Sequence, residues 1–68
     1  MQITAILNPA EEGGYVAFNP ETGTTTQGET VEHALANLRE AVELYLEDED
    51  ITILGAPLVT TLTIEEHA

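Results

Sequence analysis

The 68-residue chain predicts an α+β domain of β-β-β-α-β order, a small sheet with one helix packed on one face. Three observations predict it. Residues Thr30 to Glu47 carry apolar side chains at Val31, Ala34, Leu35, Leu38, Ala41, Val42, Tyr45 and Leu46, the spacing of one face of a 3.6-residue helix. Short alternating or β-branched runs precede this stretch, and Leu58 to Ile64 (LVTTLTI) repeats the pattern after it. Proline and glycine punctuate the joins between them.

Taken in order, Gln2 to Leu7 reads as a strand with Ile3, Ala5 and Leu7 on one face and Gln2, Thr4 and Ile6 on the other. Pro9 stops it, and Asn8 to Gly14 (NPAEEGG) has the composition of a hairpin connection. Tyr15 to Asn19 is a second strand, alternating Val16 and Phe18 against Tyr15 and Ala17. The turn at Asn19 to Gly23 (NPETG) leads to Thr24–Gln27, polar enough for a sheet edge. Thr30 is the natural N-cap of the helix, and Glu32 adds a favourable charge in its first turn. Arg39 and Glu43 are spaced to pair. The acids from Glu47 to Asp50 oppose the dipole at the other end, so fraying is expected near Glu47. A break at Gly55-Ala56-Pro57 precedes the last strand, and Glu65 to Ala68 forms a polar tail.

The face under the helix is assigned Ile3, Ala5, Leu7, Val16, Phe18, Leu58, Leu62 and Ile64. The uncovered face then shows Ile6, Tyr15, Ala17 and Val59, a patch that predicts a homo-oligomer, dimer or tetramer. A chain this short buries only about 60% of its unfolded surface, which also favours assembly.

Thirteen acids stand against one arginine and no lysine, a formal net charge of −12. Direct nucleic-acid binding by this chain is disfavoured, since that mode requires clustered Lys and Arg. A basic protein partner suits the charge; simple solubility or a salt-adapted surface would also account for it. No cysteine is present for disulfides, zinc or nucleophilic chemistry. No stretch is apolar for long enough to span a membrane and no signal peptide is recognisable, so a cytoplasmic location is expected.

Gly14-Tyr15-Val16, Pro20 with Gly23, Thr26-Gln27-Gly28-Glu29-Thr30, Ala34-Leu35, Glu40-Ala41 and Leu44-Tyr45-Leu46 form a set. Together they resemble the HicB-like antitoxin family. The likeness implies a partial ribonuclease-H-like fold and an antitoxin of a type II toxin-antitoxin pair, binding and neutralising a small basic HicA-like ribonuclease toxin. The turn Pro20-Glu21-Thr22-Gly23 is one residue shorter than the family's usual Pro-Glu-Leu-Pro-Gly, and His33 stands where Glu often completes a capping box. Many members continue into a DNA-binding segment; the expectation here is one domain over residues 1–68 without it. An orphan homo-oligomeric structural or regulatory module of the same fold is the competing reading.

Two-metal nuclease chemistry needs carboxylates converging from strands and helix. The strands Gln2 to Leu7 and Leu58 to Ile64 contain no acid, so no catalytic, metal or cofactor residue is assigned and an enzyme is not expected. His33 and His67, the two histidines, fit no metal spacing. Glu40, Glu43 and Glu47, on the outer side of the helix, are the candidates for partner binding, with a solvated helix surface as the plainer alternative.

Overall fold

Three antiparallel strands and one helix make up the computed structural model, which describes residues 1–49, 52, 55 and 57–66. Strand β1 is Ile6–Pro9, β2 is Tyr15–Asn19, β3 is Thr24–Gly28, and helix α1 is Val31–Asp48. The sheet order is β1-β2-β3.

Each connection follows from its residues. In the first hairpin the Ala10 N–H donates to the Gly14 carbonyl (3.0 Å) and the Gly13 N–H to the Ala10 carbonyl (3.1 Å), with both glycines at positive φ. In the second turn the Gly23 N–H donates to the Asn19 carbonyl at 2.8 Å. Thr30 caps α1 as expected: its hydroxyl oxygen accepts from the His33 N–H at 3.0 Å.

The buried core is Ala17, Ala34, Leu38 and Val42, with Ile3, Leu7, Tyr15 and Leu46 packed against it. Ile3 and Leu7 therefore lie on the helix side, as their alternation predicts. Val16 and Phe18 do not. Leu7 pairs directly with Ala17, and directly opposed residues share a face, so the inward phase of β2 is Tyr15, Ala17 and Asn19. Size supplies the reason for the correction. The helix lies low over β3, where Thr26 Oγ1 donates to the Ala34 carbonyl (3.2 Å), and alanine at 17 and 34 leaves room that valine and phenylalanine would fill. Val16 and Phe18 join Ile6 on the uncovered face, Phe18 opposite Ile6.

Strand β1 begins four residues later than predicted and runs through Pro9. The larger correction concerns Leu58 to Ile64. The described residues 57–66 form no strand, and Leu58, Leu62 and Ile64 are 92%, 77% and 70% exposed and not under the helix. Alternation and β-branching make a segment strand-prone, but a strand exists only through its ladder, and this segment has none among the described residues. The predicted break at Ala56, Asp50 of the acidic run, most of Ile51 to Leu54 and His67 fall outside the described residues.

Candidate protein-binding surface

Helix α1 divides its side chains cleanly. Ala34, Leu38 and Val42 face the sheet, while Glu40, Glu43 and Glu47 are exposed on the outside, spaced so that they run along one side. Arg39 Nε lies 3.3 Å from Glu43 Oε1, with both side chains largely in solvent (82% and 66% exposed). An exposed pair of this kind contributes less than about 1 kcal/mol and leaves the row open to stronger cations. The last turn has no basic residue, so Glu47 and Asp48 sit beside the negative end of the helix dipole. A cation delivered there from outside meets charge and dipole together.

The three glutamates do not converge on anything from the sheet, because all leave the helix on its solvent side. Among the described residues no group of three His, Cys, Asp or Glu is arranged to hold a metal ion. His33 is exposed and serves the cap through its backbone.

A polar knot that the sequence reading missed holds the opposite end of the sheet. Asn19 is fully buried; its Nδ2 donates to the Thr4 carbonyl (2.8 Å) and its Oδ1 accepts from the Thr22 N–H (2.9 Å) and hydroxyl (2.6 Å). Glu21 accepts from the Thr4 N–H at 2.8 Å and the Thr4 hydroxyl at 2.7 Å. These two bonds from Thr4, the backbone one first, hold the Glu21 carboxyl below the usual glutamate range, with Asn19 adding to the effect. The detectable signal was Asn19-Pro20, an Asx-type turn start; the partner Thr4 was not detectable.

A third feature is apolar. Beyond β1, the N-terminal segment and the helix leave two adjoining hollows of about 300 and 340 Å³, lined by Met1, Ile3, Ala5, Leu35 and Leu46 together with the charged pair Arg39 and Glu43.

These elements define an acidic α+β domain whose exposed features are a row of helix carboxylates and an apolar edge. The chain belongs to the family of unknown function DUF7387, matched over residues 4–66. It is 47% identical over 53 residues to the UPF0150 protein ssl0738 of Synechocystis, covering 74% of each chain. It is likewise 47% identical over 49 residues to a UPF0150 protein of Helicobacter pylori, covering 71% of this chain and 67% of that one. Antitoxin HicB of Escherichia coli is 38% identical over 63 residues, 85% of this chain but 46% of HicB. A HicB-like antitoxin-family relationship therefore stands, as the motif set implied. No solved structure matches. None of the described helices is long and apolar enough to cross a membrane.

Proposed function

We propose that this chain acts as an antitoxin, a non-enzymatic binding protein that captures and neutralises a small basic HicA-like toxin in the cytoplasm and does so as a homo-oligomer. The observation that carries this reading is the 38% identity to antitoxin HicB over nearly the whole of this chain. The exposed row Glu40, Glu43 and Glu47 supports it, since a surface of one charge steers an oppositely charged protein into encounter. With a net charge of −12, the chain has no use for nucleic acid as a direct ligand, and no cofactor enters the reading.

Co-expression with a HicA-like toxin is expected to restore growth that the toxin arrests, and the two proteins are expected to co-purify. Failure to capture any such toxin would sink the proposal. A second reading has its own support: the chain is more alike to the UPF0150 proteins of Synechocystis and Helicobacter pylori, at 47% identity, than to HicB at 38%. On that reading it is an orphan oligomeric module without a toxin. A neighbouring reading frame for a basic protein of antitoxin-partner size separates the two, since the orphan module needs none.

A further inference from the structure

All thirteen acids lie outside two stretches of the chain: residues 1–10, which include β1, and residues 51–64. These are its longest uncharged runs. Copies that each carry −12 approach most easily where neither brings a carboxylate, so the two stretches are the natural contacts between like-charged chains.

Their structures are complementary. Among the described residues β1 pairs only with β2, leaving its other edge open. Thr4, just before β1, directs its N–H to the Glu21 carboxylate and its carbonyl to the Asn19 amide, and within β1 alternate residues turn their backbone groups toward the open edge. Beside that edge lies a groove lined by Ile3, Ala5, Leu35 and Leu46 and also by the Arg39–Glu43 ion pair, whose two charges offset each other. The described segment 58–64 has the reverse character. It is uncharged, its backbone is without a ladder, and alternation places Leu58, Thr60, Leu62 and Ile64 on one face. Strand β1, four residues long, spans roughly 13 Å, so about half of the segment pairs along it. The opposite edge, β3, is polar, and its Gln27 carbonyl already accepts from Asn37 Nδ2 of the helix at 2.7 Å.

We propose that Leu58 to Ile64 of one copy adds as a strand to the β1 edge of a second copy, seating Leu58, Leu62 and Ile64 in that copy's groove. This deepens the self-association part of the proposed function and rests on it, but not on the existence of a toxin. The occupant is a second copy because the segment stands clear of its own sheet, with Leu58 at 92% exposure, and because its lack of charge matches the bare edge. Strand addition gives each open backbone group a partner and covers apolar surface in the same step.

The test uses the full chain. Light scattering at micromolar concentration is expected to give a multiple of the single-chain mass. In a mixture of ¹³C-labelled and unlabelled protein, intermolecular NOEs are expected between the methyl groups of Leu58, Leu62 or Ile64 and those of Ile3, Leu35 or Leu46. The double substitution Thr60→Pro and Thr61→Pro removes a ladder donor whichever N–H faces the partner strand, and Leu62→Glu places a charge in the groove; each change should weaken self-association by at least about tenfold. Both lie outside the core, so the helical circular dichroism should persist. A monomer mass, NOEs confined to one chain, or oligomers untouched by both substitutions would overturn the proposal. Toxin capture is scored separately on the wild type and on the double proline variant, so the antitoxin reading and the strand exchange fail by different results.

Discussion

Gly28 lies directly beneath Ala34: a Cβ built on Gly28 would fall within 2.7 Å of the Ala34 Cα and against its backbone nitrogen. The last residue of β3 thus touches the first buried turn of α1 with no side chain between. Gly28→Ala is expected to push the helix off the sheet and cost about 1–3 kcal/mol, the usual range for overpacking. Urea denaturation checks this, and an unchanged midpoint would mean that the close approach is not needed.

Leu38 is 2% exposed at the centre of the core, whereas Leu44 on the same helix is 56% exposed. Leu38→Ala should cost about 2–5 kcal/mol, enough to unfold much of a domain this small. Leu44→Ala should stay within about 0.5 kcal/mol. Thermal melts of the two variants side by side make the comparison.

The Glu21 carboxyl predicts a pH dependence of definite sign. Its pKa in the folded chain is lowered by the bonds from Thr4, so the carboxylate stabilises the fold at neutral pH, above the unfolded value. That contribution fades as pH falls into the acid range and is gone once pH has passed below the folded pKa. Glu21→Gln should therefore lower Tm at pH 7, and the gap to wild type should narrow steadily on acidification. A gap that is constant or widens toward acid pH would refute the assignment.

Neutralising the helix row with Glu40→Gln, Glu43→Gln and Glu47→Gln together should slow association with a basic toxin by about tenfold at low salt and less at high salt. The far-ultraviolet circular dichroism should be unchanged, since all three side chains are exposed. Stopped-flow binding across a salt series is the measurement. A rate indifferent to both charge and salt would move the interface elsewhere on the molecule.

Features that depend on neighbours along the chain were legible before any fold was known. The helix from Val31, its cap at Thr30, the Arg39–Glu43 pair, the glycine turns and the strand Tyr15–Asn19 are all set by residues within a few positions of one another. The family, too, was legible, because its motifs are runs of adjacent residues. Which face of β2 looks inward was decided only in three dimensions. Alternation there is apolar on both phases, and the pairing Leu7↔Ala17 together with the low seat of the helix on Gly28 selected the small residue. The Asn19–Thr4–Glu21 knot likewise joins positions up to 17 residues apart, a proximity no local pattern encodes. For Leu58 to Ile64 the sequence specified a strand's character but not a strand, since a ladder needs a paired edge and among the described residues this segment pairs with none.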